Sequence, residues 1–141
     1  MVDPTGVQNV PPAKVWEALR SDPQAQLVDV RTEPEWNFVG LPDLAAAGKQ
    51  VVLIPWQVYP TMARNEKFVD HLKEAGFMPE HHIYFLCRSG QRSLAAAMAA
   101  QAAGFPHAYN IADGFEGGVD SHGHRGVVAG WKAENLPWRQ R

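Results

Sequence analysis

The chain has 141 residues, 45% of them hydrophobic and 20% charged, and a net charge of −2. That balance suits a single compact domain burying roughly 70% of its unfolded surface, and it gives no reason to expect nucleic acid or an anionic membrane as a partner. One cysteine excludes an internal disulfide and a multi-cysteine zinc site, and a lone thiol fits a reducing compartment. No apolar run approaches the ~20 residues that span a bilayer. Residues 1–6 carry neither the basic region nor the apolar core of a signal peptide, so the expectation is a cytoplasmic protein.

Residues 7–10 predict a short edge strand. Pro11 and Pro12 open a helix, since proline is tolerated in a first turn. Val15, Ala18 and Leu19 give that helix an apolar face with Trp16 beside it, and Ser21, Asp22 and Pro23 stop it. Residues 26–30 read as a buried strand interrupted by Asp29. A carboxylate there is costly unless it is paired or hydrogen-bonded, so Asp29 either holds the neighbouring loop together or shapes a site wall. Arg31 follows at once. Glu35 and Trp36 read as a helical turn with the ring packed inward. Residues 40–43 form a turn, and 44–48 a short helix or a loose connection. Residues 49–54 predict a second strand ended by Pro55. Trp56, Val58 and Tyr59 then form an apolar patch, read as core more readily than as substrate wall.

Asn65 can cap a helix running to Ala75, with Gly76 as the residue beyond its end. His81 and His82 are adjacent on extended chain, so they point to opposite sides and make a poor joint metal site. Residues 82–86 form a buried strand, and 94–103 a helix closed by Gly104. Its small residues, nearly all round, predict close packing on a sheet. Residues 107–111 are the next strand and 113–118 a glycine-rich turn. His122 and His124 have no evident carboxylate or thiol companion, so no metal is assigned to them. The tail, 127–138, reads as a short amphipathic helix docked on the body.

Strands alternating with helices predict an α/β fold: a mostly parallel central sheet of about five strands with helices on both faces, in one domain over residues 1–141. In such folds ligands sit beyond the carboxyl ends of the strands, where Cys87 falls. The loop after the strand reads Cys87, Arg88, Ser89, Gly90, Gln91, Arg92, Ser93. It brings backbone N–H groups and the positive end of a helix dipole to one point. Such a nest binds anions, and with Arg88 and Arg92 it favours a thiolate at Cys87. Gly90 permits a backbone angle that other residues resist, and the Ser89 and Ser93 hydroxyls can donate or cap the helix. The plainer alternative is a buried, inert cysteine followed by solvated charges.

The segment from Cys87 to Ser93 resembles the active-site loop of the rhodanese family of sulfurtransferases. Residues 27–31 (Leu, Val, Asp, Val, Arg), followed by Glu35 and Trp36, resemble that family's first marker. Residues 109–118 resemble its late glycine-rich segment, and Leu136, Pro137 and Trp138 a frequent ending. The resemblance covers roughly residues 9–138. One departure is plain: where members usually carry a segment like His-Ile-Pro-Gly-Ala, residues 39–48 here are longer and hold no histidine.

The resemblance implies that Cys87 takes a sulfane sulfur from a small anionic donor such as thiosulfate. The resulting persulfide passes it to cyanide, a thiol or a sulfur-accepting protein. Cys87 and Arg92 would be the catalytic pair. Arg88, Ser89, Gly90, Gln91 and Ser93 would bind substrate, with Asp29 and Arg31 in support and Asp29 bracing Arg92 or the loop from behind. No metal or organic cofactor is needed. Two other readings are a regulatory sulfur-binding module and a cysteine phosphatase of the same fold. The phosphatase loop carries one more residue than the four between Cys87 and Arg92.

Overall fold

The computed structural model describes residues 5–141. In chain order the first half comprises β1 (Gln8–Val10), α1 (Pro12–Ser21), β2 (Ala25–Asp29), α2 (Glu33–Phe38), β3 (Leu41–Pro42), a 3-10 turn (Ala45–Ala47) and β4 (Val52–Leu53). There follow β5 (Gln57–Val58), β6 (Ala63–Arg64), α3 (Phe68–Glu74), β7 (His82–Leu86), α4 (Gln91–Ala102), β8 (Ala108–Ile111) and β9 (Trp138–Arg139).

Five strands make one sheet in the order β1-β8-β7-β2-β4, and every pair in it is parallel. The central pair, β2 and β7, runs in register from Ala25 opposite His82 to Asp29 opposite Leu86. Side chains alternate across a strand, so each strand feeds two cores. Val28, Ile83 and Phe85 face α3 and α4, where they meet Phe68, Leu72, Ala96, Ala97 and Ala100. Leu27, Tyr84 and Leu86 face α1 and meet Val15, Leu19, Phe115 and Trp131. Helices cover both faces, which is why these strands read as nearly unbroken apolar runs. Because α4 buries only alanines and a serine on its sheet side, its backbone can lie close to the sheet.

Four features depart from the sequence reading. Only Val52 and Leu53 of the expected strand at 49–54 are extended in the sheet. The Lys49 N–H still closes the preceding turn on Leu44, so pairing begins late. The helix expected to start at Asn65 begins at Phe68 instead. The Asn65 side chain accepts the Lys67 N–H and donates to the Pro55 carbonyl, forming a turn of its own. The helix expected from residue 94 begins at Gln91, capped by Gly90 in a left-handed conformation (φ 115°).

The tail is the largest difference. Residues 127–137 carry no helix, and the chain ends in β9, antiparallel to β3. Left-handed Gly130 and Asn135 interrupt any helical repeat. The Trp131 and Lys132 N–H groups bond the Gly114 and Phe115 carbonyls instead of the preceding turn. Residues 39–48 are folded against this tail. Leu41 and Leu44 are buried, the Asp43 N–H bonds the Pro137 carbonyl, and Lys132 Nζ donates to the Val39 carbonyl. No helix among the described residues is long and apolar enough to cross a membrane.

Candidate active site

Cys87 follows β7 directly, with its side chain buried at 1% exposure. Its Sγ accepts the Gly90 N–H at 3.1 Å and lies 3.2 Å from Ser93 Oγ on the first turn of α4. Of the N–H groups expected to surround the sulfur, that of Gly90 is the one bonded to it among the described residues. The sulfur therefore lies beneath the start of a 12-residue helix, where the dipole favours negative charge.

The other side of the loop is held through its carbonyls. Phe115 N–H donates to the Cys87 carbonyl at 2.8 Å, and Glu116 and Gly117 donate to the Arg88 carbonyl at 3.0 and 3.1 Å. The glycine-rich turn thus serves as a clamp. Gly114 has φ 63°, and a Cβ there would collide with the Cys87 and Arg88 carbonyls, so only glycine lets the two segments approach.

Ser93 is fully buried. Its Oγ stands 2.5 Å from Asn110 Oδ1 on β8, and Asn110 Nδ2 donates to Asn9 Oδ1 on β1 at 2.8 Å. A hydroxyl has one proton to give. Donated to Asn110, it leaves an oxygen lone pair that accepts an S–H. Turned to the sulfur, it supports a thiolate. Three strands of the sheet thereby fix one hydroxyl against Cys87.

Arg92 is held on its other side by Glu35. Nη1 and Nη2 reach Oε1 and Oε2 at 2.7 and 2.9 Å, a bidentate pair with about a fifth of each side chain exposed. The Thr32 N–H and hydroxyl also donate to Glu35 Oε1, at 3.1 and 2.9 Å, in a capping box that starts α2. Burial alone would raise the Glu35 pKa. The Arg92 hydrogen bonds and charge, with help from Thr32, overcome that and bring it down to about 2. The Glu35 hydrogen bonds in turn raise the Arg92 pKa against the opposing effect of burial, and the charges of Glu35, Cys87 and Asp29 add to the rise.

Of the two roles expected of Asp29, bracing Arg92 or the loop from behind, the first is not made by a hydrogen bond among the described residues, and only its charge acts on Arg92. Asp29 shares its strand face with Leu27, toward α1, whereas α4 packs on the opposite face. Asp29 pairs instead with Arg31, whose Nη2 reaches Oδ2 at 2.7 Å with both side chains fully buried. Arg31 also donates to the Gly40 carbonyl at 2.7 Å, and its guanidinium stacks 4.3 Å from the Phe115 ring centroid. This pair ties β2 to the two segments that flank the loop. Glu35 is the residue the sequence reading left without a role. Thr32 to Glu35 carries the S/T-x-x-E signature of a capping box, but nothing local points to Arg92.

Arg88 and Gln91 are exposed at the loop rim, and Ser89 is half-buried. Val58 and Tyr59 are 45% and 60% exposed, contrary to their reading as core. Trp56 is half-buried against Phe68, with ring centroids 5.1 Å apart. His122 and His124 lie on an exposed turn, where Asp120 Oδ1 accepts both their N–H groups.

Comparison with known proteins agrees with this fold. The model of the family described as STR4 middle domain matches residues 6–141. The crystal structure of Rv0390 from M. tuberculosis superposes with a TM-score of 0.86, at 45% identity, covering 96% of this chain and 98% of that one. The uncharacterized protein RC0915 of Rickettsia conorii is 40% identical over 134 residues, 94% of this chain and 98% of its own. The solution structure of the Wolinella succinogenes polysulfide-sulfur transferase homodimer shares the fold, with a TM-score of 0.65 at 23% identity over 96% of this chain and 80% of that one. The parallel sheet, the cysteine loop at its carboxyl end and these matches together make the chain a member of the STR4 middle domain family, with a rhodanese-like fold.

Proposed function

We propose that the chain is a sulfurtransferase that carries sulfane sulfur on Cys87. The observation behind this reading is the sulfur's setting: at a strand end, bonded by the Gly90 N–H, beneath the α4 N-terminus, and within the field of an Arg92 locked by Glu35. In the first half-reaction the Cys87 thiolate attacks the outer sulfur of thiosulfate. The new S–S bond forms as the old one breaks, and sulfite leaves with the bonding pair. In the second, cyanide or a thiolate attacks the outer sulfur of the persulfide, and the electron pair returns to Cys87 Sγ. Two half-reactions through a covalent intermediate give ping-pong kinetics. Arg88, exposed at the rim, meets the anionic donor. Ser89 and Gln91 flank it, and Gly90 and Ser93 hold the sulfur. A thiol acceptor implies a compartment that keeps thiols reduced, as the cytoplasm does.

The test is intact-protein mass spectrometry after incubation with thiosulfate. One sulfur should be added, then removed by cyanide, and Cys87→Ser should take up none. Absence of any cyanide-removable sulfur with thiosulfate, polysulfide and persulfide donors would sink the proposal.

The 1% exposure of Cys87 favours a second reading, a sulfur-binding regulatory module. A module of that kind would acquire the sulfur once and hold it. Repeated turnover with donor and acceptor in excess decides for the enzyme.

A further inference from the structure

We infer that a cleft beside the cysteine loop binds the apolar body of an organic thiol, which collects the sulfur from Cys87. This rests on the sulfurtransferase reading and adds the class of acceptor. The cleft has a volume of about 320 Å3. Pro34, Trp36 and Phe38 form one wall, and Pro55, Val58 and Tyr59 the other. Its size is that of a small-molecule site. Phe38 is 79% exposed, and Val58 and Tyr59 on the hairpin side are open to solvent as well. Three large apolar side chains exposed around one concavity are more than scattered surface hydrophobics.

Its position ties it to the chemistry. The two walls follow β2 and β4, and Cys87 follows β7. These three strands are neighbours in the order β7-β2-β4. The cleft and the cysteine loop therefore both lie beyond the carboxyl ends of neighbouring strands. Thr32 lines the cleft and also bonds Glu35, which grips Arg92.

Charge separates the two substrates. Among the described residues no lysine, arginine or histidine lines the cleft, and Glu33 is the one charged group there. An anion such as thiosulfate gains nothing there, whereas Arg88 and the α4 N-terminus lie on the loop itself. An apolar thiol gains the burial of its hydrocarbon, about 25 cal/mol per Å2 removed from water. Held there, its thiolate attacks the outer sulfur of the Cys87 persulfide. The acceptor leaves as an organic persulfide, Cys87 recovers the electron pair as thiolate, and no other oxidant or reductant takes part.

The experiment loads Cys87 with thiosulfate, removes the donor, and follows discharge by 2-phenylethanethiol, 2-mercaptoethanesulfonate and cyanide in stopped flow. The expected result is a second-order rate constant about tenfold higher for phenylethanethiol than for the sulfonate, the scale of hydrophobic-pocket discrimination. In Phe38→Ser/Val58→Ser that preference, and the phenylethanethiol-to-cyanide ratio, should fall about tenfold. Both side chains are surface-exposed, so the variant should fold. Equal rates for the two thiols, or a preference that survives the double substitution, overturn the inference while leaving the sulfurtransferase reading intact. Failure to load or to discharge with cyanide overturns both. A wild-type dimer in sedimentation that dissociates in the variant assigns the cleft to a second copy of the chain, and also overturns it.

Discussion

Two arginine–carboxylate pairs support the fold around the loop, and they differ in almost every physical respect. Asp29 and Arg31 are two residues apart and wholly dry, at 0% exposure each. Glu35 and Arg92 are 57 residues apart, and each is about a fifth exposed. The first pair is buried beside Phe115 and Gly40. Each charge there has the other as counter-charge, and the pair pins backbone segments together. The second stands at the edge of solvent and joins α2 to the cysteine loop. A dry pair tolerates no loss of a partner, because the remaining charge has nowhere to go. A wet pair can lose a partner and keep the fold, so its removal should be felt in the chemistry.

Removing the Asp29 charge gives the largest expected effect. Asp29→Asn leaves Arg31 buried without a counter-charge and should cost about 3–5 kcal/mol of stability, read as a lowered urea midpoint. Sulfur uptake per folded molecule should stay near wild type. A loss of uptake with stability preserved would make Asp29 part of the chemistry and erase the contrast. Glu35→Gln should cost only about 1–2 kcal/mol, since hydrogen bonds to a charged group are replaced by neutral ones. It should slow persulfide formation about tenfold, a barrier increase of about 1.4 kcal/mol, because Arg92 is no longer locked. Unchanged loading kinetics would reduce the Glu35–Arg92 pair to a structural tie.

The same pair has a pH signature. The Glu35 pKa is about 2 in the folded chain, below the ~4.3 of an unfolded glutamate. Its contribution to stability is therefore complete above the unfolded value and is lost as pH falls toward the folded one. The stability gap between wild type and Glu35→Gln should be constant near neutral pH and close between about pH 4 and pH 2. A gap that holds at the acid end would contradict the assigned pairing. The smallest stability effect belongs to Arg88→Ala, within about 0.5 kcal/mol as for most surface changes. It should nevertheless raise the KM for thiosulfate several-fold while leaving discharge by cyanide alone. An unchanged KM would turn Arg88 away from the donor.

The contrast also explains what could be read in the sequence. Apolar runs at 82–86 and 26–30, and helical spacing at 12–21, come from local periodicity, and the sheet with its two covered faces follows from them. Cys87, Gly90 and Ser93 were legible because strand, loop and helix meet within a few residues. Arg31 beside Asp29 is legible as a neighbour, but the hydrogen bonds that join the two side chains are not. Glu35, Asn110 and Asn9 reach the site across the fold, and no spacing in the chain encodes a contact 57 or 101 residues long. The tail misled because its apolar residues keep a helical rhythm, whereas Gly130 and Asn135 adopt left-handed angles that end any helix.

The pairing of β9 with β3 bears on the order in which the molecule is made. The Trp138 ring lies against Gly40, whose carbonyl holds Arg31, just beyond the helix that presents Glu35. On the ribosome, the cysteine loop emerges well before residues 138 and 139. The contact behind α2 is thus made by a segment that leaves the ribosome after the cysteine loop. Translation order therefore separates the segment that carries the sulfur from the contact that backs the helix presenting Glu35.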